Sequence, residues 1–359
     1  MIIRSKAPLR ISFGGGGTDV SPYCDDHIGV VLNSTINKYA YCSIVPNDTN
    51  EIVVNSLDFD MTVKYNCSEN LVYNGKLDLV KAALKKMNIT QGCEVYLQCD
   101  APAGSGLGTS STVVVALLSA MARWKGIILD QYALAHIAYE VERKDLGISG
   151  GYQDQFAATF GGFNFMEING DDIVVNPLKI RKDIINELQY NVLLCYTGNI
   201  HISANIINDQ VNNYENKDVE VISAMHEIKA LAYAMKKELL RGNLNNFGML
   251  LNYGWECKKK MSNKISNSQI DKLYKEALEA GALGGKLLGA GGGGYLLVYC
   301  PYNKKHMVAE RLEELGGQLM DWNFDLRGVQ NWVVDDKRWV YDEIAITTTE
   351  GNFKFDLSK

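Results

Sequence analysis

The segment Asp100–Thr112, DAPAGSGLGTSST, stands between the alternating run CEVYLQCD (93–100) and the apolar run TVVVALLSAMARW (112–124). A strand that feeds a glycine-rich turn and then opens a helix suits an anion. Glycines let backbone N–H groups approach closely, and the unpaired donors of a helix N-terminus favour negative charge. Two familiar phosphate motifs fail here. The nucleoside-triphosphate loop needs a Lys after its last glycine, and none follows Gly108. The dinucleotide fingerprint needs glycines at first, third and sixth positions, whereas Gly104, Gly106 and Gly108 are spaced two and two; Asp130 falls near the required acidic offset only by count. Thr109, Ser110 and Ser111 carry hydroxyls suited to capping the following helix, and any of them could turn its oxygen toward a metal instead. The run after them is apolar almost all round, which predicts a buried helix whose N-terminus points at the site. The plainer alternative is a Gly/Ser loop that only connects a strand to a helix.

Working outward, the chain of 359 residues is long enough for two domains of ordinary size. Its 36 basic and 42 acidic residues leave a net charge of −6 with no basic stripe, which argues against a nucleic-acid partner. The start MIIRSKAPLRIS lacks a secretory pattern, and no apolar run approaches the ~18 residues of a membrane span, so a soluble cytoplasmic protein without a membrane partner is expected. The eight cysteines are scattered without a C-x-x-C pair and predict reduced core thiols.

The first hundred residues read mostly as strands, in VVLNSTINKYAYCSIV (30–45), EIVVNS (51–56), MTVKY (61–65) and CEVYLQCD. Asp130 is placed to cap a helix over QYALAHIAYEVER (131–143), which Gly147 closes. Strand-like GGFNFMEI and DDIVVNPL follow, then YNVLLCYTG (190–198) opens a second half with long polar helices from about Ser203 to Arg241. The expected division is 1–185 and 186–359. The final stretch, 338–359, reads as strand.

Four segments in order, KAPLRISFGGGGTD (6–19), the quoted loop, ERKDLGISGGYQDQF (142–156) and GGKLLGAGGGGYLLVY (284–299), resemble the GHMP kinases, the superfamily of galactokinase, homoserine kinase, mevalonate kinase and phosphomevalonate kinase. The resemblance implies an α+β fold. Its N-terminal domain would be like the second domain of ribosomal protein S5 and its C-terminal domain ferredoxin-like, with the active site between them. It implies that Ala103, Gly104, Ser105, Gly106, Leu107, Gly108, Thr109, Ser110 and Ser111 wrap the phosphates of ATP. Ser110 and Glu142 would hold Mg²⁺, while Glu140 faces another direction. Asp154 would be the base that accepts the proton of the attacking hydroxyl, with Arg10 orienting it or neutralising charge on the phosphoryl group. Another reading makes Asp154 a helix cap.

Gly16, Gly17, Thr18, Asp19 and Gly151, with Gly291 and Gly292 of the last motif, are the implied substrate contacts. Galactokinases carry Glu and His where this chain has Gly16 and Gly17. Asp19 remains to accept hydrogen bonds from sugar hydroxyls, but the departure argues against galactose, and the four glycines open room for a larger or anionic substrate. APLRISFGGGGTD, LGISGGYQDQ and GVQNW (328–332) are similar to the D-glycero-D-manno-heptose 7-phosphate kinases, which implies phosphorylation of an anomeric hydroxyl on a sugar that already bears a phosphate. Lys179, Arg181, Lys182 and His201 are candidates for holding that phosphate. Thr197 and Gly198 form a second candidate substrate loop, and Lys286 could reach an anion, though a surface position is the expectation. The resemblance leaves room for a homodimer. The competing expectations are a kinase of fucose or another unphosphorylated sugar, a diphosphomevalonate-type decarboxylase, and a non-catalytic nucleotide-binding relative.

Overall fold

The computed structural model describes residues 1–198, 203–335, 343–348 and 351–356. Its first sheet is built from β1 (Ile2–Gly14), β2 (Gly29–Pro46), β3 (Glu51–Ser56), β4 (Met61–Asn66), β5 (Cys93–Cys99), β6 (Phe163–Asn169) and β7 (Asp172–Pro177). The second uses β8 (Val192–Tyr196), β9 (Gly284–Leu287), β10 (Tyr295–Tyr299) and β11 (Gln318–Leu319). The chain then returns to the first sheet as β12 (Gln330–Val334) before a hairpin of β13 (Glu343–Thr348) and β14 (Gly351–Asp356).

In the first sheet the order is β12-β1-β2-β5-β3-β4, and β6 and β7 extend from β2. The split arises because β2 is long: its first half pairs with β6 and its second half with β5. Only β3 and β5 run parallel. β1 alternates buried and exposed side chains at its start and is almost wholly buried from Ala7 onward. There Leu9, Ile11 and Phe13 meet Ala232, Met235 and Leu239 of the helix Val219–Arg241, together with Phe247, Leu251 and Leu297. An apolar seam therefore joins the two domains along β1, and the functional residues of β1 project at its end.

The second sheet has the order β11-β8-β10-β9, all antiparallel. The helices Leu244–Lys259, Ser268–Glu279 and Lys305–Glu314 pack with it through Phe247, Leu273 and Leu312. The expected boundary at 185 falls inside the helix Lys182–Asn191, just ahead of β8. The later half is not one contiguous domain, however, because β12 pairs with β1 from Ile2↔Val334 to Lys6↔Gln330. The edge of β1 opposite β2 would otherwise expose unpaired backbone groups, and β12 covers it. Of the strand-like tail, 343–348 and 351–356 form the hairpin; its other residues lie outside the described ones.

The apolar run after the quoted loop is the helix Thr109–Lys125, buried as its sequence predicts and ended by Gly126 in the left-handed conformation. Asp130 does cap the next helix, Gln131–Tyr139, accepting from the Ala133 N–H at 2.7 Å. That helix continues into a wider π turn, Glu140–Asp145, a distortion often found at functional sites. All eight cysteines are free thiols. Among the described residues no helix is long and apolar enough to cross a membrane.

Candidate active site

A cleft of about 420 Å³ opens between the two domains. One wall is the quoted loop, in which Gly104, Gly106 and Gly108 all take positive φ, at 75°, 82° and 76°. Gly106 is irreplaceable on a second count: a Cβ there would stand 2.5 Å from the Leu288 carbonyl oxygen. The loop is also tied to the second domain by the Tyr295 N–H, which donates to the Ser105 carbonyl at 3.0 Å. Ala103, Gly104, Gly106, Gly108, Thr109, Ser110 and Ser111 line the cleft. Ser105 and Leu107 are buried behind it, Leu107 accepting from the Arg10 N–H at 3.1 Å.

The hydroxyls do not cap the helix. Gly108 occupies the cap position without a side-chain bond. Ser110 Oγ donates instead to Glu142 Oε1 at 2.7 Å, and Ser111 Oγ to Oε2 at 2.5 Å. Gln155 Nε2 adds a third donor to Oε2 at 2.7 Å. Glu142 is thus buried, with two donors on Oε2 and one on Oε1, and the Arg143 guanidinium lies 3.5 Å from Oε1. The π turn brings Glu142 to this wall, while Glu140 faces outward and pairs with Lys86 at 2.8 Å.

Opposite the loop, Arg10 Nε and Nη2 both donate to Asp154 Oδ1, at 2.8 and 2.7 Å, and Nη1 donates to the Gly106 carbonyl. Arg10 therefore fixes Asp154 against the glycine loop and leaves Oδ2 on the side of Gly108. Asp154 lies within the first turn of the helix Gln153–Phe160 and does not cap it. Asp19 accepts from the Gly17 N–H at 3.0 Å and the Gln153 N–H at 3.2 Å. Burial raises its pKa and the nearby Asp154 charge adds to the rise, while the two backbone donors oppose it. Gly151 makes room for this carboxylate, since a Cβ there would sit 2.1 Å from Asp19 Oδ2.

Several expected contacts lie elsewhere. Thr18 is buried and donates to the carbonyls of Gly15 and Val30, which stabilises the glycine turn. Gly291 and Gly292 pack on Ile265, the Gly292 N–H donating to its carbonyl at 2.8 Å; Gly289 and Ala290 are the members of that motif that line the cleft. Thr197 is spent on the Gly294 carbonyl, and neither it nor Gly198 lines the cleft. Lys179, Arg181 and Lys182 are exposed and away from it, Arg181 pairing with Asp183; His201 lies outside the described residues. Gly16 and Gly17 do line it.

Two further cations line the cleft, and only Lys286 stood out in the sequence. Lys286, expected at the surface, is buried in β9 and donates to the Ser12 carbonyl at 3.1 Å. Lys258 is buried too, donating to the Gly289 carbonyl at 2.6 Å. It belongs to the run Lys258–Lys259–Lys260, whose later members are half-buried and exposed, so composition marks the run as solvated charge.

The arrangement pairs a nucleotide-sized anion cradle with a positioned carboxylate and a cation between them, which suits transfer of a phosphoryl group to a hydroxyl. The known relatives agree. The N-terminal domain of the GHMP kinases matches residues 70–162, which include the loop, Glu142 and Asp154, and their C-terminal domain matches 235–317, which include Lys258 and Lys286. The chain is 39% identical over 341 residues to the D-glycero-alpha-D-manno-heptose 7-phosphate kinase of Campylobacter jejuni, covering 92% of this chain and 98% of that one. A crystal structure of a D-glycero-D-manno-heptose 1-phosphate kinase from Bacteroides thetaiotaomicron superposes with a TM-score of 0.79 at 37% identity, over 93% of this chain and all of that one. Lactococcus lactis galactokinase shares the fold alone, at 18% identity and a TM-score of 0.73 over 92% of this chain and 95% of its own. A glycine loop, an Arg-held carboxylate and two matching domains across one cleft, carried on this level of identity, place the chain in the GHMP kinase family.

Proposed function

We propose that the protein transfers the terminal phosphoryl group of ATP to the anomeric hydroxyl of D-glycero-D-manno-heptose 7-phosphate, giving the 1,7-bisphosphate. The observation that carries the chemistry is the Arg10–Asp154 pair facing the glycine loop across one cleft. Similarity along nearly the whole heptose 7-phosphate kinase supports the choice of sugar. A sugar whose phosphate is at C7 leaves C1 free as an acceptor, which one already phosphorylated at C1 does not. The anomeric phosphate is also the position from which a nucleotidyl transfer would activate the heptose, so supply of sugar for surface polysaccharide fits this product.

In this reading the acceptor hydroxyl lies between Asp154 Oδ2 and the terminal phosphate. Asp154 takes the hydroxyl proton as the oxygen attacks, and Arg10 holds the carboxylate in place. Asp19 accepts hydrogen bonds from neighbouring hydroxyls and fixes the ring, and its raised pKa means that burial works against its charge until such donors arrive. The buried seam along β1 keeps both halves in register, so this positioning needs no reordering of the core.

Ser110 and Glu142 suit Mg²⁺, a hard cation that prefers oxygen and needs few protein ligands, because their oxygens converge within 2.7 Å on the cleft wall. When bound there, the ion would neutralise charge on the phosphate oxygens. Glu142→Gln should raise the Mg²⁺ concentration for half-maximal rate by at least about 10-fold, the scale seen when even outer partners of metal ligands are lost. An unchanged magnesium titration would remove Glu142 from the metal site.

The substrate assignment is tested by ADP release with Mg-ATP and heptose 7-phosphate, beside unphosphorylated heptose, fucose, galactose and mevalonate. Turnover confined to the sugar phosphate is expected. Turnover with fucose or another neutral sugar alone would discard the heptose phosphate.

A further inference from the structure

Lys258 and Lys286 are each only 5% exposed, and neither forms an ion pair with a carboxylate among the described residues. An ammonium carries three N–H donors, and each lysine spends one of them on a backbone carbonyl. A buried charge left in that state is costly unless an anion compensates it. Two further donors of the cleft, Gln210 Nε2 and Ser12 Oγ, are buried without a partner among the described residues. All four side chains line the cleft together with Gly16 and Gly17. Two of them flank the glycine turn: a Cβ on Gly16 would lie 3.5 Å from Ser12 Oγ, and one on Gly17 would meet the Met261 methyl at 2.8 Å and the Gln210 amide oxygen at 3.6 Å.

Arg10 is already committed to Asp154 and to the Gly106 carbonyl, so it serves the nucleotide side. The four donors come from β1, β9 and the helices Ser203–Glu215 and Leu244–Lys259, and share one cleft with Gly16, Gly17 and Asp19. Resting on the reading above that the acceptor is a sugar phosphate, we propose that Lys258, Lys286, Gln210 and Ser12 seat the phosphate the acceptor already carries. The exposed Lys179, Arg181 and Lys182 then have no part in it.

The electrostatics agree with a seat for an anion. Burial lowers the Lys258 pKa to about 8; Asp19 and Asp154 act against that shift and Arg10 reinforces it. Lys286 is lowered well below the ordinary lysine value by burial, with Lys258 and Arg10 adding to the effect. A phosphate dianion would reverse the shift of both. In the free enzyme Lys258 therefore loses its proton as pH rises through about 8, and in the sugar-phosphate complex it keeps it. Accordingly kcat/KM for the sugar phosphate should fall above that pH while kcat does not.

The test compares kcat/KM for heptose 7-phosphate with that for unphosphorylated heptose, with inorganic phosphate as a probe competing against the sugar phosphate. Lys258→Met keeps the apolar stem and removes the charge. It should lower the preference for the phosphorylated sugar at least about 30-fold, the scale of unpairing a buried charge contact, and should weaken inhibition by inorganic phosphate. Gln210→Glu, which sets a negative charge at the seat, should lower the same ratio, and thermal melting confirms that each variant is folded. Equal losses on both sugars accompanied by a higher KM for ATP would assign the lysines to the transferred phosphoryl group and overturn the proposal. An unchanged ratio in both folded variants would do the same. A wild-type enzyme that used only neutral sugars would fail earlier, at the substrate assignment itself.

Discussion

Asp154→Asn is expected to lower kcat by about 10²–10⁴-fold, the range for loss of a general base, while the Kd for ATP changes by no more than a few-fold. Asparagine has the same shape, and its carbonyl oxygen can still accept from Arg10 Nε and Nη2, which both meet Oδ1 in the native site. The amide cannot take up a proton in place of Oδ2. Fluorescent-nucleotide titration separates the two effects. If ATP affinity fell in parallel with kcat, Asp154 would be a prop that holds Arg10 against the Gly106 carbonyl, and the proton acceptor would have to be sought elsewhere.

Gly106→Ala should raise the KM for ATP on the order of 10²-fold and lower the melting temperature. The residue has a φ of 82°, which costs an alanine roughly 1–2 kcal/mol. Its new Cβ would also stand 2.5 Å from the Leu288 carbonyl oxygen, so either the phosphate loop or the second domain must move. Displacements of about 1 Å suffice for losses of that size. Gly126→Ala is the control, with a φ of 67° and nothing within 4 Å of its Cβ. It pays the backbone strain alone, so its stability should fall while its KM for ATP stays near wild type. Wild-type ATP affinity in Gly106→Ala would show that the loop does not cradle the nucleotide.

Much of this site is legible in the sequence because its parts are local. The glycine loop, its buried helix and the Asp130 cap depend on residues within a few positions of each other, and the structure forms each of them. The hydroxyls of Ser110 and Ser111 were readable as cap or metal ligand, and tertiary contact with Glu142 decided against the cap. What sequence could not supply came from contacts between distant segments. The π turn that carries Glu142 has no signature in ERKD, and the return of β12 to β1 is set by an open sheet edge far from Gln330 in the chain. Lys258 hides in a lysine triplet and Lys286 in a short strand, and tertiary contacts with the distant Gly289 and Ser12 carbonyls accompany their burial. A run of glycines likewise does not reveal which of its members meets the cleft, as Gly289 does, and which meets Ile265, as Gly291 does.

Phosphorus NMR of the product formed from Mg-ATP and D-glycero-D-manno-heptose 7-phosphate tests the central claim most directly. A new phosphate resonance coupled to the anomeric proton, beside an unchanged 7-phosphate signal and stoichiometric ADP, is the predicted result. ADP release with no phosphate on C1, or a new phosphate on any other carbon, would contradict it.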